Sequence, residues 1–381
     1  MTRYDVIVVG RGIIGAPAAR HLAEGGVSVA LVGPDEPLDR TTSDGPFCSH
    51  PDEGRITRIA GRNGPWVELA ARSIERYADI AERSGVEFHH PLSVVVSFSD
   101  AADWVDRAAA WGSDARMVDP EWVRAETGIA LPHDQPAMTE GAPAGWINPR
   151  RMVAAQTALV EQAGGTVVRD AATGLDVRAD GVTVTGRFGA LTADRVIVAT
   201  GAFGAGLLQR PLLVERRPRT VLMAECAPDD RIPSLILQGP PDDRLNEIYW
   251  VPPIPYPDGR IRLKIGGDLK AFDPLATEDL VEWFRSDGSD VEIEALEHSL
   301  RALLPDVTFG DLARSPCVVT GTPTGLPYIG WVDDRVVVAL GGNGSAAKSG
   351  DELGRLASLV VRDAEWDSEV EQARFAPQFA D

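Results

Sequence analysis

Cysteine is scarce in this sequence, and long hydrophobic runs are missing from it. Cys48, Cys226 and Cys317 are the three cysteines of the 381 residues, and their spacing matches neither a disulfide framework nor a metal site. No apolar run approaches the roughly 18–20 residues that cross a bilayer. The first apolar strand begins at Tyr4, which leaves no room for a signal peptide. We therefore expect a protein of the reducing cytoplasm, without a metal site or a membrane span.

Positive charge is also scarce. The formal net charge is −20, which disfavours nucleic acid or an anionic membrane surface as a partner. Lysine occurs only as Lys264, Lys270 and Lys348, so that 34 of the 37 basic residues are arginine and a lysine in an apolar strand is conspicuous. The length and the 44% hydrophobic content suffice for a large core in two domains or one elaborate domain. We expect a monomer that acts on a small molecule.

The sequence opens with a dinucleotide-binding pattern. Residues 4–32 have the order strand, glycine turn, helix, strand, with Gly10, Gly12 and Gly15 spaced as G-x-G-x-x-G. Gly10 permits the tight turn, Gly12 lets the backbone approach a pyrophosphate, and Gly15 lets the helix pack closely on the strand. The start of the helix offers N–H groups to the phosphates. The alternative is a glycine-rich turn of another α/β protein.

One part of this fingerprint departs from the usual pattern. The second strand should end in an acidic residue that binds the ribose hydroxyls. Gly33 occupies that position here, and Asp35 and Glu36 follow two and three residues later. Either one of these carboxylates reaches back to the ribose, or the backbone and water hold it.

Similar βα patterns recur in the middle and at the end of the chain. An apolar strand at 196–200 ends in Thr200-Gly201, and a strand at 336–340 runs into a glycine loop, with a helix from about 351 to 362. Residues 219–265 alternate like an antiparallel sheet. We therefore predict an α/β fold with a Rossmann-like nucleotide-binding domain interleaved with an antiparallel-sheet (α+β) substrate domain. The predicted nucleotide-binding domain comprises residues 1–85, 146–215 and 318–381, and the substrate domain comprises residues 86–145 and 216–317.

The glycine fingerprint and the Thr-Gly strand end together resemble flavoproteins of the two-dinucleotide-binding type. The segment from Ser49-His50 to Arg55-Ile-Thr-Arg58 resembles the Ser-His-x-x-x-x-Arg-x-x-Arg segment of the monomeric sarcosine oxidase family, which is related to glycine oxidase and D-amino-acid oxidase. The resemblance implies that Ser49 and His50 line the FAD phosphates, that Arg55 lies beside the flavin ring, and that Arg58 meets a substrate carboxylate. A guanidinium suits that role, because its fork matches a carboxylate. The alternative is that both arginines form surface ion pairs with nearby acidic residues.

The strand Leu263-Lys264-Ile265-Gly266 resembles the family's Leu-Lys-Leu-Gly segment. The family's lysine lies over the flavin and promotes the reaction of reduced flavin with oxygen, since a fixed cation favours the developing negative charge. The alternative is that Lys264 faces solvent. A histidine of the family four residues further on is Asp268 here, so we expect a changed substrate pocket.

Cys317 lies where covalently flavinylated members have Cys-x-Tyr-Thr-x-Thr-Pro. The cysteine and the Thr-x-Thr-Pro tail match, whereas Val319 replaces the tyrosine. The resemblance implies a thioether from Cys317 to the flavin, with Arg55 expected to lower the pKa of the thiol. The alternatives are a buried inert cysteine and the non-covalent arrangement of the glycine-oxidase group, which the following residues also resemble.

The loop from Gly342 to Ala346 resembles the family's Gly-His-Gly-Phe-Lys loop over the pyrimidine end of the flavin. Its N–H groups and the following helix start would stabilise negative charge there. The family's lysine in this loop helps to hold the substrate carboxylate, and Ala346 takes its place here. Lys348 lies two residues further on and is not assigned.

The resemblance implies FAD-dependent oxidation of a secondary or N-substituted amino acid of the sarcosine or N-alkyl-glycine type to an imine that water hydrolyses, with O2 reduced to H2O2. The alternatives are an FAD-dependent dehydrogenase with a non-oxygen acceptor, a non-catalytic flavin-binding partner subunit and a nicotinamide dehydrogenase. The predicted catalytic residues are Arg55, Arg58 and Lys264. The predicted FAD-binding residues are Gly10, Gly12, Ile13, Ile14, Gly15, Asp35, Ser49, His50, Arg55, Ala172, Thr200, Gly201, Cys317, Gly342, Gly344, Ser345 and Ala346. The predicted substrate contacts are Arg58, Tyr249, Trp250, Asp268 and Val319.

Overall fold

The computed structural model describes residues 3–37, 39–46, 52–132 and 134–380. Its strands, in chain order, are β1 (Arg3–Val9), β2 (Val29–Val32), β3 (Arg55–Thr57), β4 (His89–Pro91), β5 (Val94–Ser97), β6 (Arg116–Val118), β7 (Ala137–Glu140), β8 (Gly145–Ile147), β9 (Thr166–Val168), β10 (Ala172–Arg178), β11 (Gly181–Gly186), β12 (Gly189–Val198), β13 (Glu215–Glu225), β14 (Ser234–Gln238), β15 (Leu245–Pro255), β16 (Ile261–Leu269), β17 (Leu312–Gly321), β18 (Tyr328–Asp333) and β19 (Val336–Leu340). Its α-helices are α1 (Gly15–Glu24), α2 (Gly64–Ser84), α3 (Ala101–Ala109), α4 (Pro120–Thr127), α5 (Pro149–Gln162), α6 (Leu280–Arg285), α7 (Asp290–Leu303) and α8 (Ala346–Val361).

The first large sheet carries the nucleotide-binding elements. Its strands follow the order β10-β11-β12-β1-β2-β9, and β19 pairs with β12 and β18. The strands β1, β2, β9, β12 and β19 run parallel where they pair. Residues 6–9 and 29–32 are buried throughout, as continuous apolar strands of a covered parallel sheet should be. The carboxyl ends of β1, β12 and β19 therefore meet at one edge, and each is followed by a glycine turn.

The second large sheet follows the order β17-β13-β16-β15-β14-β5-β7-β6 and is antiparallel except between β14 and β5. One face packs on α7, where Leu263, Ile265 and Leu296 belong to one apolar cluster. Because side chains alternate along a strand, the residues between them point to the opposite face. A smaller sheet of order β3-β8-β4 completes the fold.

The predicted fold class is confirmed, since a Rossmann-like parallel sheet and a largely antiparallel sheet alternate along the chain. Strands of the second sheet come from residues 94–140 and 215–321, between the segments that build the first sheet. The strands β13 and β17 run across the predicted domain boundaries at 215/216 and 317/318, and the boundaries themselves stay a prediction. None of the helices within the described ranges combines the length and the apolar character that a membrane span needs.

The predicted start of the last helix was wrong. The helix α8 begins at Ala346 and not near residue 351, because Gly350 lies inside the helix. A Cβ on Gly350 would lie 2.5 Å from the carbonyl oxygen of Ile13, and one on Gly354 would lie 2.5 Å from the amide nitrogen of Ala18. These two glycines therefore let α8 pack tightly on α1 and on the residues just before it. Gly350 is thus a packing position within the helix and not the end of the preceding loop.

Candidate active site

A cavity of about 960 Å³ lies between the glycine turns of the first sheet and the open face of the second. Such a volume is at the upper end of the range for small-molecule and cofactor pockets. The end near the first sheet is called the nucleotide end here, and the end near the second sheet is called the substrate end. Both ends carry residues that the sequence predicted.

The glycine turn after β1 forms one wall of the nucleotide end. Gly10 has φ +111°, and a Cβ there would lie 2.3 Å from the carbonyl oxygen of Ala199. A Cβ on Gly15 would lie 1.8 Å from the carbonyl oxygen of Gly10, so that only glycine permits this packing. A Cβ on Gly12 would meet no atom of the described residues within 4 Å, and Gly12 lines the cavity. The turn thus leaves open space where a pyrophosphate would bind.

The presence of Gly33 in place of the usual ribose-binding acidic residue has a steric reason. A Cβ on Gly33 would lie 2.5 Å from the backbone nitrogen of Arg11, whose Nε donates to the Gly33 carbonyl oxygen over 3.2 Å. Asp35 pairs with Arg11, and Arg150 donates from Nε to Oε2 of Glu36 over 2.7 Å. Both carboxylates line the cavity, so the choice between them for the ribose stays open.

The carboxyl end of β12 supplies a further polar wall. Thr200 lines the cavity, and its Oγ1 is buried without a hydrogen-bond partner in the described part of the chain. Gly201 follows with φ +57°, and Ala172 at the start of β10 lines the same cavity, as do Ile13 and Ile14. A buried hydroxyl without a partner suits a ligand that supplies one.

The loop before α8 is fixed to the end of β17. The backbone nitrogens of Gly342 and Asn343 donate to Oγ1 and to the carbonyl oxygen of Thr320 over 3.2 and 2.8 Å. Gly344, Ser345 and Ala346 then line the cavity, together with Gly342. The positive end of the α8 dipole and the N–H groups of its first turn are therefore available to a ligand that binds in the cavity.

The open face of the second sheet forms the substrate end. Arg217, Arg219, Glu247, Tyr249, Asp268, Cys317 and Val319 line the cavity there. The prediction for Trp250 was wrong, because Trp250 neighbours Tyr249 and so points to the other face. It is fully buried, and its Nε1 donates to the carbonyl oxygen of Pro233 over 2.9 Å.

Arg58 reaches the cavity from the segment after β3. Its guanidinium lies 5.1 Å from the ring centroid of Trp104 and donates to the carbonyl oxygen of Ala60, while its Nε is buried without a partner in the described residues. Burial lowers its pKa to about 10, so it stays protonated at neutral pH. Glu140, itself 1% exposed, accepts the backbone N–H groups of Ile59 and Ala60, both over 3.0 Å, and so fixes the segment that carries Arg58.

Lys348 was not assigned from the sequence, and the structure places it on the cavity wall. Lys348 is 5% exposed, and its Nζ makes no hydrogen bond or ion pair with the described residues. Burial and the nearby Arg58 hold its pKa well below the usual range, whereas Glu140 opposes this shift. An amine in this position needs an anion or a hydrogen-bond acceptor from outside the protein.

Arg55 and Lys264 converge on one buried carboxylate. Arg55 lines the cavity and pairs with Asp52, and Nζ of Lys264 lies 3.2 Å from Oδ1 of Asp52 and donates to the carbonyl oxygen of Gly54. The alternative that Lys264 faces solvent is excluded, because Lys264 is 0% exposed. The alternative that Arg55 forms a surface ion pair is excluded as well, because its partner Asp52 is 3% exposed. Burial and Arg55 lower the pKa of Lys264 to about 8. Lys264 itself does not belong to the cavity wall.

Cys317 lies on the cavity wall, 8% exposed. Burial raises the pKa of its thiol, and the nearby Arg55 only opposes this rise. Arg55 acts in the expected direction, but desolvation of the thiolate outweighs this cation, so the pKa of the thiol is raised overall. The predicted contacts of Ser49 and His50 lie outside the described residues.

Arg150, Glu247, Arg219 and Lys348 are cavity residues that the sequence did not predict. The sequence did contain a signal for Glu247. Side chains two residues apart share one face of a strand, so a strand that presents Tyr249 to the cavity also presents Glu247. No local pattern marks Arg150, which reaches the cavity from the start of α5.

The fold and the cavity together define a nucleotide-cofactor-binding α/β enzyme with a separate substrate face. The family model described as DAO, FAD dependent oxidoreductase, matches residues 5–358. The chain belongs to this family and is an FAD-dependent oxidoreductase, which confirms the predicted family and cofactor.

Relatives and solved structures agree with this assignment. The chain is 26% identical to a monomeric sarcosine oxidase of Streptomyces avermitilis over 340 residues, which are 84% of this chain and 83% of the relative. It is 27% identical to a monomeric sarcosine oxidase of Bacillus sp. (strain B-0618) over 217 residues, 55% of this chain and 54% of that protein. Among solved structures, NikD, an unusual amino acid oxidase, superposes with a TM-score of 0.79 at 22% identity, covering 100% of this chain and 98% of NikD. Glycine oxidase from Geobacillus kaustophilus superposes with a TM-score of 0.70 at 19% identity, covering 99% of this chain and 98% of the glycine oxidase.

Proposed function

We propose that this protein oxidises a secondary or N-substituted amino acid of the N-alkyl-glycine type to an imine, which water hydrolyses, and that O2 is reduced to H2O2. The single observation that carries the proposal is Arg58, a charged guanidinium on the cavity wall whose buried Nε has no partner among the described residues. Such a group is the natural partner of a carboxylate. The sarcosine and glycine oxidases among the similar proteins support the amine chemistry.

The residues of the nucleotide end fit FAD. Its phosphates would fit the open space beside Gly12, and the buried hydroxyl of Thr200 and the N–H groups of Gly344 and Ala346 would bind its polar groups. When bound, FAD supplies the two-electron redox chemistry of the reaction. The contribution of the chain is then to position the substrate and to set the charge around it.

Lys348 is proposed as the second cation of the carboxylate site. The related family has its lysine at the position of Ala346, and the turn of α8 brings Lys348 to the cavity beside Arg58 instead. A substrate carboxylate would therefore lie between a guanidinium and an amine. Glu140 balances part of this positive charge from behind and keeps Arg58 in place.

The oxygen reaction rests on Lys264. As a buried cation it would favour negative charge on oxygen near the flavin. Its attachment to Asp52 and its absence from the cavity wall favour a second candidate function, an FAD-dependent dehydrogenase with another electron acceptor. The two differ in a direct assay: an oxidase turns over in air and releases H2O2, whereas the dehydrogenase turns over only when a dye or quinone is added.

Cys317 is the proposed attachment point of the flavin. Its thiol is on the cavity wall at the substrate end, near Arg55. A non-covalent flavin would leave Cys317 as a packing residue, and the amine oxidase assignment does not depend on the outcome.

The experiment that tests the proposed function compares each amino acid substrate with the amine that lacks its carboxylate. In wild-type protein the amino acid should have the far lower KM, and Arg58→Ala should raise that KM by on the order of 10- to 100-fold. Arg178→Ala, at an exposed site, is the control. Equal turnover of the two compounds by wild-type protein would rule out the carboxylate site.

A further inference from the structure

Two carboxylates stand side by side at the substrate end. Glu247 on β15 and Asp268 on β16 are directly paired in the register of these antiparallel strands, and both line the cavity. Like charges in directly opposed positions destabilise a sheet. A sequence that keeps this pair therefore gives up stability at the wall of its active site.

The two carboxylates differ in what surrounds them. Asp268 pairs with Arg219, and Nδ2 of Asn246 lies 3.4 Å from its Oδ2. Glu247 makes no side-chain hydrogen bond or ion pair with the described residues. Burial raises its pKa, Asp268 raises it further, and the surrounding arginines only oppose this. Arg58, Arg62 and Arg219 favour the ionised form from a distance, but none of the described side chains donates to Glu247 directly, so a donor or a cation of a ligand would stabilise its carboxylate.

The neighbouring charges are already matched. Asp268 neutralises Arg219, and Asp100 neutralises Arg62, with 3.3 Å between Nε and Oδ2. Arg58 and the 5%-exposed Lys348 also line the cavity, Glu140 acts on both of them, and a substrate carboxylate would pair with them. With such a carboxylate bound at Arg58 and Lys348, Glu247 remains a carboxylate without an ion pair among the described residues.

We propose that Glu247, with Asp268 beside it, binds a positively charged group of the substrate, so that the substrate is an N-substituted amino acid with a second, basic group. This inference rests on the proposed function, since it takes the carboxylate to lie at Arg58 and Lys348. The basic group is not the reacting amine, because that amine must be neutral to give up a hydride. The cavity would thus bind the substrate carboxylate at Arg58 and Lys348 and the distal basic group at Glu247.

The test measures binding as well as turnover, in the FAD-loaded protein. The ligands are the Nα-methyl derivatives of diaminobutyrate, ornithine and lysine, each paired with an uncharged Nα-methyl amino acid of similar chain length. Calorimetry of protein whose flavin has been reduced beforehand, under anaerobic conditions, gives Kd without turnover, and H2O2 release or dye reduction by the oxidised protein gives kcat/KM. At least one basic member should bind about 10-fold more tightly than its uncharged partner, since a charge-assisted hydrogen bond contributes that much.

Glu247→Gln should bring this ratio close to one, and Asp243→Asn, an exposed carboxylate outside the cavity, should leave it unchanged. Glu247→Gln should also melt at the same or a higher temperature, because it removes the repulsion from Asp268. Equal affinity for basic and uncharged ligands in wild-type protein overturns the proposal. So does a Glu247→Gln variant that weakens both ligand types equally, since Glu247 then contacts the reacting amine. If no amino acid of either type is oxidised, the proposed function itself fails.

Discussion

Nζ of Lys264 lies 3.2 Å from Oδ1 of Asp52, and both side chains are buried. The same carboxylate pairs with Arg55, which lines the cavity. Asp52 thus contacts two cations: Lys264, which lies behind the cavity wall, and Arg55, which lines the cavity. Although burial opposes ionisation, Arg55 and Lys264 hold the pKa of Asp52 below its usual range. The carboxylate is therefore ionised and fixes both cations in place.

Lys264→Met tests the role of the inner cation. If Lys264 promotes the oxygen reaction, reoxidation of the reduced flavin by O2 should slow by about 100-fold or more, because a fixed charge is lost. Reduction by substrate under anaerobic conditions should change far less. Stopped-flow absorbance separates the two steps, and Lys270→Met at an exposed site is the matched control. An unchanged reoxidation rate assigns Lys264 to structural support of Asp52.

Gly12→Val and Gly15→Val should fail in different ways. A side chain on Gly12 meets open space in the cavity, whereas one on Gly15 meets the backbone of Gly10 at 1.8 Å. We expect Gly12→Val to give a folded, colourless protein and Gly15→Val to give little folded protein. Circular dichroism reports folding, and absorbance after denaturation reports bound flavin. A yellow Gly12→Val protein would mean that the phosphates bind elsewhere.

Acid precipitation decides whether the flavin is attached to Cys317. A tether keeps the yellow colour in the pellet, and Cys317→Ser should release it to the supernatant. Cys226→Ser is the matched control, since Cys226 is half-buried and outside the cavity. Flavin that leaves the wild-type pellet completely would make Cys317 a packing residue.

Glu292 should make stability depend on pH. Burial raises its pKa to about 7 from 4.5, and its Oε2 accepts the backbone N–H of Thr220 over 2.6 Å. Between these two values the folded state keeps a proton that the unfolded chain releases, so stability is lost as the pH rises through this window. The loss should be on the order of 1–3 kcal/mol.

Urea unfolding at a series of pH values checks this prediction. Glu292→Gln cannot ionise, so its free energy of unfolding should change less than that of the wild type between about pH 5 and about pH 8. Glu294→Gln, on the same helix and exposed, should behave like the wild type. Parallel pH curves for wild type and Glu292→Gln would contradict the raised pKa.

The nucleotide end could be predicted from the sequence because its pattern is local. Gly10, Gly12 and Gly15 act within one turn, and the close contacts of Gly10 and Gly15 fit the roles that the spacing predicted. The start of α8 could not be predicted so well, because Gly350 looks like a loop residue until α1 is placed against it. Tertiary packing decides its role.

The substrate end was predicted only in part. Asp268 and Val319 line the cavity, but Trp250 points away from it, because neighbouring residues of a strand face opposite sides. Lys348 was unassigned because its place depends on where α8 begins. The period of two could have placed Glu247 on the cavity face, but its role depends on its pairing with Asp268 on the next strand. No local sequence pattern shows that pairing.

The most direct test of the central claim is anaerobic mixing of the FAD-loaded protein with N-alkyl amino acids, before oxygen or dye is admitted. If the protein oxidises such substrates, the yellow flavin absorbance bleaches, and air then restores it with one H2O2 for each flavin reduced. The amines without a carboxylate should bleach it far more slowly, and Arg58→Ala should remove the difference. A flavin that stays oxidised with every amino acid of the panel would contradict the account.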